Sequence, residues 1–403
     1  MGNNQEAGEM KRKIAIFTGN RAEYGLQYSI IKAVDEHPQL DYFLLISGAH
    51  LDEDFGYTLH EIEKDGFRVY REVSIVMEQD NLFATAQAIG SGILSLSRIL
   101  SELQPDFLIV YADRFEGFSA LITGTQMNIP TAHIEGGDLT EGGALDDSVR
   151  HAMTKLAHLH FTTNIQAAER VLKLGEEPWR VFNVGFPALD LVTQGNFAST
   201  EEIRQQYGIE CSLPLVVFTQ HSVTTEFDQS ARQIRPSLQA LKLLAESGIQ
   251  IIITYPNNDA GGKTIIKEIE AARHIMPANV QIHKSLGRYN YHGLLHVCGQ
   301  SGHGVCVGNS SSGIKETPAF GCPAVDIGTR QNCRLRGDNI LSVDYDTEQI
   351  VDAVKKALFD ESFRKQCLEC DNPYGKGNAG KHIAETLASI KIDANLLQKK
   401  MTY

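Results

Sequence analysis

At 403 residues the chain is too long for one ordinary core and comfortable for two α/β domains. With 42% hydrophobic and 22% charged residues it has the balance of a folded, soluble chain, and a formal net charge of −13 excludes general nucleic-acid binding, which needs a basic surface. A phosphorylated ligand is not excluded, since a nucleotide site needs only local backbone N–H groups and one or two arginines.

The first strong signal is KIAIFTG, Lys13–Gly19, a β-rich run that ends in glycine. An amphipathic helix is expected from about Glu23 to Glu36, and a second strand over Tyr42–Ser47 that ends at Gly48-Ala49-His50. Near-continuous apolar strands alternating with helices are the pattern of parallel βαβ units. It continues with FLIVY (Phe107–Tyr111) into Ala112-Asp113-Arg114, and Thr131–Ile134 into Glu135-Gly136-Gly137. A helix over about Asp146–Leu159, a strand at His160–Thr163 and another at Val181–Val184 complete about six strands. Polar residues over Thr193–Gln206 read as a hinge. A second series then offers strands at Leu215–Thr219, Ile251–Thr254, Val280–His283, Gly304–Val307, Ala324–Ile327 and Ile340–Val343. Its helices are expected at Gln229–Glu246, near Tyr289–Cys298 and at Thr347–Leu358.

The fold class expected is therefore α/β, with two Rossmann-like domains facing a cleft. The first covers about residues 1–195 and the second about 200–375, with a last helix near Lys381–Leu397, in a segment of about 378–403, packing back on the first. The seven cysteines are scattered apart from Cys367 and Cys370, and read as incidental thiols of a reducing compartment. The N-terminal stretch lacks the apolar core of a signal peptide, and no run is long enough to span a membrane, so a cytoplasmic protein is expected.

Open parallel sheets bind ligands beyond the carboxyl ends of their strands. The strand-end residues here are Arg21, His50, Asp113, Arg114, Glu135, His221, Asp259, Ser310, Ser311 and Arg330. Asp113 follows its strand directly and pairs in sequence with Arg114. Glu135 precedes two glycines, whose tight backbone would let a ligand approach, and a carboxylate in a partly dry place suits proton transfer. Asp146-Asp147 with Arg150-His151 opens a helix, where aspartate also stabilises the N-terminus. His151, His158 and His160 lie close together without an acidic partner to complete a metal set, so no metal is expected. The turn Gly308-Asn309-Ser310-Ser311-Ser312-Gly313 is the phosphate candidate: small residues between a strand and a helix offer N–H groups and hydroxyls to an anion. It is neither a Walker loop nor a G-x-G-x-x-G fingerprint. Glu316, in the following helix, is placed to accept from ribose hydroxyls.

With these residues assembled, the chain resembles the hydrolysing UDP-N-acetylglucosamine 2-epimerases, which include bacterial sialic-acid pathway enzymes and the epimerase half of the animal bifunctional epimerase/kinase. The resemblance spans about residues 11 to 390. It is carried by Thr18-Gly19-Asn20-Arg21-Ala22-Glu23-Tyr24, Asp113-Arg114, His133-Ile134-Glu135-Gly136-Gly137, Asp146–His151 with Thr154–His158, Gly308–Ser311 and Gly328-Thr329-Arg330-Gln331. It implies a glycosyltransferase-B-like arrangement, catalytic roles for Asp113, Glu135, Asp146 and His221, and nucleotide contacts from Arg21, Ser310, Ser311 and Glu316. It also implies a UDP-sugar substrate, no cofactor and a homo-oligomer, commonly a dimer or tetramer. Two departures stand out. Ala112 occupies a position usually held by glycine, and the loop Asp138–Leu145 is longer than the commoner version, which bears on the sugar accepted. Which carboxylate is base and which acid stays open at this point, as does the substituent at sugar C4 and C6.

Overall fold

The computed structural model describes residues 11–51, 59–75, 82–139, 145–256, 261–300 and 303–403. The chain forms two compact units. One runs to Asp138, resumes over Leu145–Asp190 and closes with Gly377–Tyr403; the other is built on Leu191–Lys376. Each is an α/β domain on a parallel sheet, the class expected.

The first unit's sheet has seven strands: β1 (Arg12–Thr18), β2 (Leu40–Ser47), β3 (Val69–Val73), β4 (Phe107–Tyr111), β5 (Thr131–Ile134), β6 (Leu159–Thr162) and β7 (Val181–Asn183). Their order is β3-β2-β1-β4-β5-β6-β7, parallel throughout. Alternation along β1 explains its double burial. Ile14 and Ile16 join the core on one face, while Ala15 and Phe17 join the core on the other. β3 escaped the sequence reading because Arg71 and Glu72 interrupt the short run VYREV, which is half-exposed, as an edge strand is.

The second unit's sheet has six strands: β8 (Leu215–Thr219), β9 (Gln250–Thr254), β10 (Val280–His283), β11 (Gly304–Gly308), β12 (Ala324–Ile327) and β13 (Ile340–Val343). They are ordered β10-β9-β8-β11-β12-β13, again all parallel. Val216 and Phe218 face one core, Leu215 and Val217 the other.

Two local expectations need correction. The polar stretch Thr193–Gln206 is largely a helix, Thr200–Tyr207, started by a reciprocal capping box between Ser199 and Glu202. Its Ile203 and Tyr207 are buried in the second unit's core, so the stretch anchors rather than hinges. The single helix expected over about Lys381–Leu397 is two, Ala379–Ser389 and Ala394–Leu397, the second begun by Asp393 as N-cap. Ala379, Ile383, Leu387 and Leu396 enter the first unit's core. Asp190 accepts the N–H groups of Ala379 and Gly380 at 2.8 and 2.7 Å, which holds the returning segment in place.

Among the described residues, no helix is long and apolar enough to cross a membrane, and no group of three His, Cys, Asp or Glu is arranged to hold a metal ion.

Candidate active site

In the first sheet the winding reverses between β1 and β4, so the carboxyl ends of these neighbours open a crevice, the usual ligand position in such sheets. Gly19–Glu23 follows one strand and Ala112–Glu116 the other. β5 lies next, carrying Glu135. Two residues here adopt left-handed backbone without being glycine: Ala112 at φ 53° and Glu135 at φ 64°. Such conformations cost roughly 1–3 kcal/mol each and persist only where surroundings impose them.

The surroundings are visible. The Ala112 N–H donates to Ile134 O at 3.0 Å, and the Glu135 N–H to Phe161 O at 2.9 Å. His133 Nε2 lies 2.6 Å from Ala112 O, which can only accept, so that nitrogen carries the proton and Nδ1 accepts from Thr154 Oγ1 at 3.2 Å. Burial lowers His133 to about 3, so the ring stays neutral in this role. The left-handed turn also gives the physical reason for glycine at the position Ala112 occupies. Beyond Glu135, Gly137 is left-handed at φ 77°, and a Cβ there would meet Ala167 O at 2.2 Å.

Arg150, 2% exposed, organises the carboxylates. It donates to Asp113 Oδ2 and lies 3.4 Å from Asp147 Oδ1. Burial opposes its charge, but Asp113, Asp138, Glu135 and Asp147 more than offset that and hold it cationic. Arg114 lies 3.5 Å from the buried Glu116. Burial, followed by the charge of Glu135, pushes the Tyr111 phenol up, so it stays protonated beside that carboxylate. Asp146, by contrast, is exposed at the start of its helix, and its neighbour Asp147 is the one buried against Arg150. His50 is buried at the end of β2, 3.2 Å from Thr18 Oγ1, and lowered to about 4 by burial. Arg21 opens the helix Arg21–Glu36, but its side chain lies outside the described residues.

The second sheet reverses between β8 and β11, and there Asn309 is the hub. The His221 N–H donates to Asn309 Oδ1 at 2.7 Å, and Asn309 Nδ2 donates back to His221 O at 2.9 Å. Arg330 and Gln331 donate to Asn309 O at 3.1 and 2.8 Å. The side-chain amide and backbone carbonyl of Asn309 thus tie the ends of three neighbouring strands. Gly308 makes the approach possible: a Cβ there would lie 1.9 Å from Thr219 O. Burial, then Arg330, lowers His221 well below the usual histidine value, leaving a neutral imidazole.

Ser310 caps the following helix by accepting from Ser312 N at 3.4 Å. That helix, Ser311–Lys315, is a single short turn, so its dipole is small and any anion would rest on the N–H groups and hydroxyls themselves. Glu316 is the C-cap rather than an interior residue, and its Oε2 contacts His292 Nε2 at 2.8 Å and Ser312 Oγ at 3.0 Å. Asp259 lies outside the described residues.

Asp113, Arg114, Glu135 and Arg150 are thus gathered in one unit, and His221, Ser310, Ser311, Glu316 and Arg330 in the other. Sequence reasoning did not single out Glu116 or Asp138, and it read Asn309 only as part of the phosphate-candidate turn. Asp147 had a usable signal, its three-residue spacing from Arg150 on one helix face.

The sequence matches the family described as UDP-N-acetylglucosamine 2-epimerase over residues 32–388. It is 31% identical to the UDP-N,N'-diacetylbacillosamine 2-epimerase (hydrolyzing) of Legionella pneumophila, covering 98% of this chain and 100% of that protein. It is 32% identical to a UDP-N-acetylglucosamine 2-epimerase of Neisseria meningitidis, over 86% of this chain and 88% of that one. The fold is shared with a crystal structure of a Neisseria meningitidis UDP-GlcNAc 2-epimerase bound to UDP-GlcNAc, with a TM-score of 0.78 at 18% identity, covering 93% and 99% of the two chains. With both strand-end clusters in place and the match running through them, the chain belongs to the UDP-N-acetylglucosamine 2-epimerase family.

Proposed function

We propose that the protein is a hydrolysing 2-epimerase that converts UDP-N-acetylglucosamine and water to N-acetylmannosamine and UDP. The observation that carries this reading is the pair Asp113 and Glu135, set one strand apart by left-handed turns with the cationic Arg150 against them. Left-handed backbone kept at Glu135 itself and at Ala112, just before Asp113, is the mark of a site built for reaction rather than for stability alone.

The C2 hydrogen of the sugar is not next to a carbonyl, so simple deprotonation is slow. In the proposed route a carboxylate removes that proton while the C1–O bond to UDP breaks, leaving a C1=C2 double bond. Water then adds at C1 and a proton returns to C2 on the opposite face, which balances to inverted free sugar plus UDP. The chain must supply a base, an acid and support for the departing diphosphate. Asp113 and Glu135 take the proton transfers, with Asp146 assisting from the next helix. Arg150 keeps Asp113 oriented, and the hydroxyl-rich turn at Ser310-Ser311, with neutral His221, Arg21 and Arg330, takes the nucleotide, whose ribose Glu316 accepts from.

Turnover in deuterated water tests the route: the released sugar carries one deuterium at C2 and UDP appears stoichiometrically. Unlabelled product excludes the elimination, and product that keeps its UDP marks a non-hydrolysing epimerase. A second reading keeps the chemistry and changes the sugar to UDP-2,4-diacetamido-2,4,6-trideoxyglucose. The end-to-end match to the Legionella pneumophila enzyme favours it. Specificity constants for the two purified substrates decide between them.

A further inference from the structure

The proposed chemistry leaves one buried carboxyl at this crevice unused. Glu23 lies in the first turn of the helix Arg21–Glu36, 4% exposed, and its Oε2 accepts the Gly19 N–H at 2.6 Å. Its Oε1 is buried with no hydrogen-bond partner among the described residues, and the same holds for Oε2 of Glu116. Gly19 meets both side chains: it donates to Glu23, and a Cβ on it would meet Glu116 Cβ at 3.1 Å, while a Cβ on Gly48, at the end of β2, would meet Glu116 Oε1 at 3.1 Å.

The charged and titratable groups around Glu23 come from β4, from the turn and helix Phe115–Gln126 that follow it, and from the end of β2. β4 and the turn after it contribute Tyr111, Asp113 and Arg114, the helix contributes Glu116, and the end of β2 contributes His50, whose neutral ring is bound to Thr18. Asp113 has Arg150 as its cation and Glu116 has Arg114, so among the described residues Glu23 shares a guanidinium already engaged. A buried carboxylate without its own cation costs several kcal/mol, whereas a proton turns the orphaned Oε1 into a donor.

We propose that Glu23 is a positioning residue of this site, a neutral acid lodged between Gly19 and Glu116 that leaves Arg114 to Glu116 and so holds the Asp113–Arg114 turn in register. This rests on the epimerase reading above. Burial pushes the carboxyl up to about 8 against the lowering pull of the Gly19 N–H, and Glu116 adds to the rise. The acid is therefore protonated at neutral pH, and its ionisation above about 8 sets a third carboxylate against Glu116 and Asp113.

Difference infrared spectroscopy on the ligand-free full chain is the direct test. Wild type shows a carboxylic-acid C=O band at neutral pH that titrates away near 8, and Glu23→Gln lacks it. In the pH profile of UDP release, wild-type activity falls about tenfold per pH unit beyond that point, and Glu23→Gln loses this alkaline limb. No acid band at neutral pH, or the same limb in the Gln variant, overturns the proposal. Should Glu23→Gln not fold, Glu116→Gln decides on the wild-type band: its midpoint drops when the neighbouring charge is removed, and an unmoved midpoint overturns the proposal. A protein that releases no UDP from either sugar defeats the epimerase reading while leaving the infrared result standing, so the two failures are separable.

Discussion

The two sheets place their polar clusters at the same topological position and furnish them oppositely. At the β1–β4 reversal, Glu23, Asp113, Glu116, Glu135, Asp138 and Asp147 surround Arg114 and Arg150. At the β8–β11 reversal, an amide, hydroxyls, Arg330 and a neutral histidine prevail, and Glu316 is tied to His292 and Ser312. The first cluster is held by ion pairs and strained backbone, the second by an uncharged clamp. One architecture thus yields a region suited to moving protons and another suited to holding an anion, because strand order fixes where side chains meet and leaves their charge free.

If that contrast is functional, damage to each cluster should have its own signature. The largest effect is expected for Asp113→Asn, which should lower kcat by about 10²–10⁴ while leaving UDP affinity largely unchanged by calorimetry. Wild-type activity in this variant would remove Asp113 from the chemistry. Next comes Arg150→Met, which leaves the half-buried Asp113 and the buried Asp147 without their cation and should cost about 3–5 kcal/mol of stability. Urea unfolding followed by fluorescence measures it in the right place, since the chain's single tryptophan, Trp179, belongs to the first unit.

Acid should test the burial of the first unit's histidines. His50, His158 and His160 are lowered to about 4 and His133 to about 3, each chiefly by burial, so they are neutral when folded. Unfolding takes up protons between those values and the ordinary histidine value. The first unit's stability is therefore full above about 6.5 and declines as pH falls toward 4, by about 1.4 kcal/mol per histidine per pH unit. Tryptophan-detected denaturation midpoints that stay flat across this range would contradict it.

In the second unit, Asn309→Ala removes both bonds to His221 and should weaken UDP binding about tenfold, with little change in the tryptophan-detected transition. The smallest effect is expected for Ala112→Gly, which relieves the left-handed backbone and should stabilise the first unit by up to about 1 kcal/mol. A loss of stability there would mean that the turn is not under strain.

Local pattern was enough to read much of this. FLIVY and LVVFT are strands because an apolar run buried on both faces has no other economical conformation, and the residues just after them were legible as site candidates because parallel sheets present their carboxyl ends to ligands. Asp113, Glu135, His221 and Ser310 could be named on that rule alone. The mismatch at Thr193–Gln206 was avoidable, since Ser199 and Glu202 carry the spacing of a helix start. β3 was not avoidable, because an edge strand need not be apolar on either face.

What one-dimensional pattern decided, then, is the run of elements and which side chains end them. What folding alone decided is which ends are neighbours. Glu23 feels the charge of Glu116 because β1 lies beside β4, and Asn309 grips His221 across 88 positions because β11 lies beside β8. The environment that keeps His133 neutral, Arg150 charged and Glu23 protonated is a sum over residues distant along the chain, and it comes into being only when water has been removed from among them.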